Sequence, residues 1–404
     1  MADDLLQPYT ETEVTAALFQ MAPLKSPGPD GDVSACVLSL LNSFLMPPGL
    51  NDTNIVLIPK CKYPELLTQF RPISLCNVVY KIASKTIANR LKGLLDRIIS
   101  PTQSAFVPGR LITDNVLLAF ELNHFLNTKA KGGQGYMALK LDVSKAYDKV
   151  EWTFLEQVLF KLGFPPRFIR LVMLCVSSVS YSFMLGGRQF GTFIPERGLR
   201  QGDPLSPYLF LLCTEAFSSI LQRAEADGRI RGVSICRGAP HISHLLFADD
   251  TLIFCQASLE GSRAIKEVLE TYRRASGQEI NFNKSSVAFS RNTRDDLCSQ
   301  IGADLNIRRE NKMELYLGLP SKVARSKKEL FSILRDRIWK RITGWNEKLL
   351  SQAGKEVSLA DGSYYCGHFK LISRTCNSVA HRLAKSALGF AEGSLISLVQ
   401  WLLL

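Results

Sequence analysis

Five histidines and ten cysteines in 404 residues leave little material for a transition-metal site. No two cysteines form a C-x-x-C pair and none recur at ligand spacing. That excludes a zinc ribbon and reads as free thiols in a reducing compartment. The closest histidine pair is in "HISH" (241–244). On a strand, His241 and His244 point to opposite faces and read as ordinary residues rather than ligands. Long hydrophobic runs are missing too. The longest, "SLISLVQWLLL" at the C-terminus, falls well short of the ~20 apolar residues a membrane helix needs. The opening "MADDLLQPYT" is acidic and has no signal-peptide apolar core. There is no internal repeat and no long low-complexity tract. These absences predict an intracellular chain with no membrane partner, and they exclude disulfide-scaffold and solenoid classes.

What is present is ordinary globular composition with a basic excess. Hydrophobic residues make up 46% and charged residues 21%, enough for two or three modest domains with a real core. Lys and Arg number 49 against 37 Asp and Glu, a net charge of +12. That suits a polyanionic partner such as nucleic acid, though many basic proteins bind none.

"NIVLIPK" (54–60) reads as a strand, and 78–99 as a helix with Val79, Ile82, Ile87, Leu91, Leu94 and Ile98 at helical spacing. "YMALKLDV" (136–143) reads as a buried strand running into a helix over 144–164, with Trp152, Leu155, Leu159 and Leu162 on one face. A hairpin turning at Gly186-Gly187, a helix over 204–224, a second hairpin at 243–254 and a helix closed by Gly277 follow. Helices and hairpins without regular βαβ alternation predict an α+β fold. Segment 322–349 holds nine basic and three acidic residues around an apolar stripe of Leu330, Leu334, Ile338 and Ile342. It predicts a basic amphipathic helix, either a solvated face or a nucleic-acid surface.

The chemistry concentrates in "SHLLFADDTLIF". Asp249 and Asp250 stand between apolar runs that read as buried strands, where paired charges are rare. Two carboxylates so close repel unless a cation intervenes, and hard Mg²⁺ prefers their oxygens. Asp142, at the end of the strand in "KLDVSKAYDKV", supplies a third acid if the two elements are neighbours. Three such acids suit two metals about 3.5–4 Å apart acting at phosphorus. The alternative for Asp249-Asp250 alone is a hydrophilic hairpin tip. Asp148 falls in the first turn of the expected helix and reads as a dipole partner. Tyr147 is placed to close over a sugar or to serve as core. Gly198, Gly202, Pro204 and Pro207 in "ERGLRQGDPLSP" make a tight loop where backbone approaches a ligand closely. Lys60, Lys62 and Arg71 are either a phosphate clamp or surface decoration.

Eight blocks in order, "LKSPGPDG", "LIPK…FRPISLCNVVYKIASKTIANRLK", "QSAFVPGRLITDNVLLAFE", "LKLDVSKAYDKVEW", "GLRQGDPLSPYLF", "HLLFADDTLIF", "GQEINFNKS" and "YLGLP", resemble a reverse transcriptase of the non-LTR (LINE-type) retrotransposon family, in the form common in plants. The resemblance runs from about residue 11 to 357. It implies a right hand of fingers, palm and thumb. Asp142 matches polymerase motif A and Asp249 and Asp250 match motif C. By resemblance these bind two Mg²⁺ ions, with Mn²⁺ as a substitute, and join a DNA primer 3′-hydroxyl to the α-phosphate of a dNTP on an RNA template. Tyr147 falls on the sugar-discriminating aromatic, and Arg71 and Lys60 on triphosphate-contacting positions. Gln201 and Gly202 fall beside the incoming nucleotide, Lys284 on a proton donor to pyrophosphate, and Gln103 and Arg110 beside the template. The family implies action in the nucleus.

The sequence departs from the family's pattern in three places. Gly31 runs straight into Asp32, where the family has a further fingers segment, and the upstream endonuclease domain is absent. Beyond "LLSQAGKEV" the chain switches to "GHFKLISRTCNSVAHRLAKSAL", which resembles the last helix region of an RNase H-like domain. His381 replaces that domain's last Asp and its earlier strands are missing, so no RNase H activity is expected. The domain reading is 1–50 lead-in and partial fingers, 51–320 fingers and palm, 321–357 partial basic thumb, and 358–404 RNase H-like fragment and apolar tail. Two functional readings stand: an RNA-directed DNA polymerase, or an inactive nucleic-acid-binding remnant of a decayed element.

Overall fold

A computed structural model describes residues 5–21, 31–236, 238–310, 315–317 and 319–320. In chain order its elements begin α1 (Glu11–Phe19), α2 (Gly31–Ser43), β1 (Asp52–Pro59), β2 (Phe70–Leu75), α3 (Val78–Ile98), α4 (Ile112–Thr128), β3 (Tyr136–Leu141) and β4 (Val143–Ser144). Next come α5 (Trp152–Lys161), α6 (Pro166–Ser177), β5 (Ser180–Leu185), β6 (Arg188–Phe193), α7 (Ser206–Ala226), β7 (His244–Phe247) and β8 (Asp250–Gln256). The last are α8 (Leu259–Ser276), β9 (Glu279–Ile280), β10 (Ser286–Phe289), α9 (Asp295–Leu305), β11 (Arg308–Arg309), β12 (Leu315–Tyr316) and β13 (Leu319–Pro320). The fold is α+β, as the pattern of helices and hairpins predicts.

Residues 1–115 and 125–312 cluster into one compact unit, and 116–124 with 313–404 into another. Of the second unit the structure describes the middle of α4 and the antiparallel β12–β13 pair, with Leu315 opposite Pro320. Residues 22–30, the expected basic helix over 322–349 and the 358–404 tail lie outside the described residues.

Helix α3 follows its spacing. Asn77 caps it by accepting from the Val79 N–H at 2.9 Å. Ile82, Ile87, Leu91 and Leu95 are fully buried, each contributing roughly 1.5–3 kcal/mol by leaving water. On its outer side Arg90 grips α1: the guanidinium lies 3.6 Å over the Tyr9 ring and donates to Glu13 at 2.6 and 2.8 Å.

Two sheets frame the first unit. One has the order β2-β1-β5-β6, with β1 and β5 parallel and the other pairs antiparallel. Its β5–β6 hairpin turns at Gly186 and Gly187, whose φ values of 56° and 79° suit glycine. The other has the order β11-β10-β3-β8-β7. Alternate residues of β3, namely Met137, Leu139 and Leu141, point to one face with Ile253 and Val287. There they pack against Phe217 and Leu221 of α7, Ile265 and Val268 of α8, and Ile301 of α9.

One helix expectation needs correction. The helix begins at Trp152, not at 144, and residues 145–149 form a turn. The carbonyls that would carry a helix are spent elsewhere. Tyr147 O accepts from the Leu199 N–H at 2.8 Å, Val150 O from the Gly198 N–H at 2.8 Å, and Ala146 O from Gln278 Nε2 at 3.1 Å. Asp148 therefore sits in a turn ahead of α5 rather than in a helix's first turn.

A buried charged network ties the two halves of this unit. Arg200 and Asp203 pair at 3.0 Å, each about 4% exposed in its side chain. Tyr80 of α3 donates to Asp203 Oδ2 at 2.9 Å, and Arg200 donates to the Tyr80 hydroxyl, Asn51 Oδ1 and, at 2.8 Å, the Cys175 carbonyl. Removing one partner strands the other charge without solvent. Asp203→Ala is expected to cost about 3–5 kcal/mol in urea unfolding, and a loss below about 1 kcal/mol would show the pair to be dispensable.

Candidate active site

The acids come together through strand register. In the β7–β8 hairpin Phe247 pairs with Asp250, leaving Ala248 and Asp249 as a two-residue turn. Ala248 holds φ at 53°, a left-handed conformation that costs a Cβ-bearing residue roughly 1–2 kcal/mol. Strand β3 pairs antiparallel with β8 from Tyr136 opposite Gln256 to Leu141 opposite Thr251. Asp142 and Asp250 are the next residues beyond that last pair, so both lie at the same end of the β3–β8 ladder. The flanking Leu245, Leu246, Leu252 and Ile253 are buried, whereas Asp249 and Asp250 are exposed and Asp142 is half-buried. Thus the strands are core but the carboxylates open to solvent at the sheet's end.

Asp250 is held above the usual carboxylate range, first by partial desolvation and then by the like charges of Asp249 and Asp142, with Lys140 opposing. Among the described residues no group of three or more His, Cys, Asp or Glu side chains is already set at metal-holding positions. The donor set itself, three carboxylates of which Asp249 and Asp142 raise the charge cost of Asp250, has the chemistry of a hard divalent cation site.

The neighbours of Asp142 are backbone-directed. Its N–H donates to Ser285 Oγ at 3.2 Å, and its carbonyl accepts from the Asn281 N–H at 2.8 Å. The turn that follows Asn281 carries Lys284, which is exposed. Motif-matching residues far apart in sequence therefore share one corner.

Tyr147 stacks on Phe210 with ring centroids 4.8 Å apart and planes 11° off parallel. Burial, then the Asp249 charge, pushes its hydroxyl well above the ordinary range, so the ring is core on one side and near the acids on the other. Asp148 accepts from Gln201 Nε2 at 3.4 Å. Burial raises its carboxyl, while Gln201, Lys145 and Lys60 pull it back. Gln201 O accepts from the Ser74 N–H at 2.8 Å. At Gly202, φ is +109° and a Cβ would stand 3.0 Å from Ser74 O. The close approach that demands glycine is thus to the chain's own β2, not to a ligand. Lys60 and Arg71 are exposed on the β1–β2 hairpin, Lys60 Nζ reaching Thr68 O at 3.0 Å and Arg71 opposite Ile58.

Residues 58–320 match the family described as "Reverse transcriptase (RNA-dependent DNA polymerase)". The chain belongs to the reverse transcriptase family. The Xenopus laevis "Transposon TX1 uncharacterized 149 kDa protein" is 30% identical over 327 residues, 77% of this chain and 24% of that one. The Drosophila melanogaster "Retrovirus-related Pol polyprotein from type-2 retrotransposable element R2DM" is 27% identical over 287 residues, 68% of this chain and 26% of that one. Both relatives are named as transposon or retrotransposable-element proteins, and the chain spans about a quarter of their length (24% and 26%). An apo telomerase from Candida tropicalis, truncated from its C-terminal domain, aligns over 61% of this chain and 51% of that one at TM-score 0.43 and 12% identity.

In this reverse transcriptase the template-block residues carry internal bonds. Gln103 is buried, its side chain turned to the acid-bearing hairpin. Arg110 donates to the carbonyls of Ser100 at 2.6 Å, Gln103 at 2.7 Å and Ile99 at 2.8 Å. His244, one strand ahead of the acids, went unread in the sequence beyond its rejection as a ligand. It lies buried with Nε2 2.8 Å from Ser218 Oγ and 3.0 Å from Thr102 Oγ1, and Nδ1 3.1 Å from Ser243 Oγ. No spacing signal marks it, because its partners are far off in the chain. Its neighbour His241 reaches only the Gly232 carbonyl, at 3.3 Å.

Burial pushes His244 from 6.5 down to about 4. The unfolded chain then binds the extra proton between those values, so stability falls as pH drops from 6.5 towards 4, by up to ~3 kcal/mol. Urea midpoints across that range should show the fall in the wild type and a shallower one in His244→Gln. Parallel pH profiles for the two proteins would contradict it.

Proposed function

We propose that the chain is an RNA-directed DNA polymerase that adds dNTPs to a DNA primer on an RNA template. The observation that carries this reading is the β3–β8 register, which ends with Asp142 and Asp250 next in line on their strands and Asp249 in the adjoining turn. Asp142, Asp249 and Asp250 would hold two Mg²⁺ ions, or Mn²⁺ in their place, which when bound supply charge neutralisation at the phosphates.

The chain's own residues do the positioning. Lys60 and Arg71, exposed on the β1–β2 hairpin, meet the triphosphate as cations. Tyr147, backed by Phe210, limits the space at the sugar 2′ position, and Gln201 and Gly202 present the loop laced to β2 beside the incoming nucleotide. Lys284, on the turn bonded to Asp142, donates a proton to the departing pyrophosphate. The 103–110 block lies on the template side. In right-hand terms residues 51–320 are fingers and palm behind a 1–50 lead-in with partial fingers. Residues 321–357 are a partial basic thumb, whose grip on duplex phosphates weakens with salt, and 358–404 is an RNase H-like fragment with an apolar tail.

The test is primer extension on poly(rA)/oligo(dT) with Mg²⁺. Asp249→Asn should lower the rate more than ~1000-fold, about 4 kcal/mol of barrier, with template–primer binding retained. No extension by the wild type, with salt-sensitive RNA binding kept, would instead make the chain an inactive nucleic-acid-binding remnant. Extension by Asp249→Asn at the wild-type rate would remove the acids from the mechanism.

A further inference from the structure

The acid turn is supported from behind by a segment that is not part of the sheet's regular strands. Residues 102–104 run beside β7: the Leu246 N–H donates to Thr102 O at 2.8 Å, and the Ser104 N–H donates to Leu246 O at 3.2 Å. Gln103 and Leu246 form a parallel bridge. Asn115 Nδ2 adds a third bond, to Leu246 O at 2.8 Å. From this segment the Gln103 side chain, 1% exposed, reaches past Leu246 to the turn. Its Oε1 accepts from the Ala248 N–H at 3.1 Å and from the Ala105 N–H at 3.0 Å. Its Nε2 is buried and has no hydrogen-bond partner among the described residues.

We infer that Gln103 is a positioning residue: its amide oxygen fixes the left-handed Ala248, and through it the direction in which Asp249 presents its carboxylate. Three features converge on this. Ala248 occupies a conformation that residues with a Cβ avoid, so something outside the turn must hold it. A two-residue turn offers its inner N–H no partner within the hairpin other than the cross-strand pair, and Gln103 supplies one. The amide oxygen already accepts two bonds and the whole side chain is sealed from solvent, so it is not available to a base edge.

Arg110 completes the brace. Its three carbonyl bonds, to Ser100, Gln103 and Ile99, fix the backbone from which Gln103 projects. Strands β7 and β8 alone do not define where the turn points. The loop does, and a shift of about an ångström in a reacting group is worth about a hundredfold in rate.

This inference rests on the reading of Asp249 as an active-site acid, so the two are tested together on the full chain. Gln103→Met keeps the side chain's size but has no amide oxygen. Gln103→Glu keeps an acceptor oxygen in the same place. Four quantities are measured: kcat and KM for dTTP on poly(rA)/oligo(dT), template–primer Kd, and Mn²⁺ binding by electron paramagnetic resonance. Gln103→Met should lower kcat by about 10- to 100-fold and weaken Mn²⁺ binding, with KM and template–primer Kd unchanged. Gln103→Glu should recover most of both losses.

A loss confined to template–primer Kd would make Gln103 a template contact and overturn the inference. So would a Gln103→Met chain with wild-type kcat and Mn²⁺ binding, provided Asp249→Asn abolishes both. If Asp249→Asn leaves Mn²⁺ binding intact, the acid-centre reading itself fails. Should Gln103→Met not fold, hydrogen exchange of the wild-type 244–254 segment decides: a protected Ala248 amide supports the bond, and free exchange refutes it.

Discussion

The antiparallel register of β3 against β8 is the constraint on which the site depends. Leu141 opposite Thr251 brings Asp142 and Asp250 to the same end of the ladder, and the two-residue turn sets Asp249 next to Asp250. Because side chains alternate along a strand, a slip of one residue would turn Asp142 to the other face of the sheet. It would also push Met137, Leu139 and Leu141 out of the packing against α7 and α8. The core that fixes the register and the cluster of acids are therefore selected by one alignment. Apolar burial, worth several kcal/mol over three such residues at roughly 1.5–3 each, holds together three carboxylates that repel one another.

The groups that hydrogen-bond the backbone around the acids are neutral. Ser285 and Asn281 hold Asp142 by its backbone, and Gln103 accepts from the turn. His244 is kept neutral by burial among three hydroxyls. A formal cation bonded to these carboxylates would compete with any ion they bind, and only Lys140 acts on Asp250 as an opposing charge. The strong ionic contact lies elsewhere, at Arg200 and Asp203, where it anchors the loop preceding α7 to α3. Charge is used to fix the loop's place, and neutral hydrogen bonds to fix the acids.

Much of this was legible in the chain. The spacing of Ile82, Ile87 and Leu91 marked α3 as a helix, and Gly186-Gly187 marked a turn. The order of the blocks gave the family, and the apolar flanks of "FADD" marked its acids as unusual. Other features had no local trace. The helix expected from 144 starts only at Trp152 because Leu199, Gly198 and Gln278 claim the carbonyls of Tyr147, Val150 and Ala146. Gly202 reads locally as a ligand-facing glycine, yet its neighbour is Ser74 O. In both places partners nearly fifty or more residues away decide the conformation, and periodicity carries no information about such partners.

By itself the sequence determined the α+β class and the reverse transcriptase family, and it singled out the three acids as candidates. These depend on residue type, local period and order along the chain. Only the tertiary structure decided that Asp249 and Asp250 stand open to solvent at the end of buried strands. Only it showed that Gln103 faces their turn and that Arg200 and Asp203 are sealed together against Tyr80. Those outcomes depend on which backbone groups remain unpaired once the sheets have formed, and such groups take partners by proximity in space rather than by position in sequence.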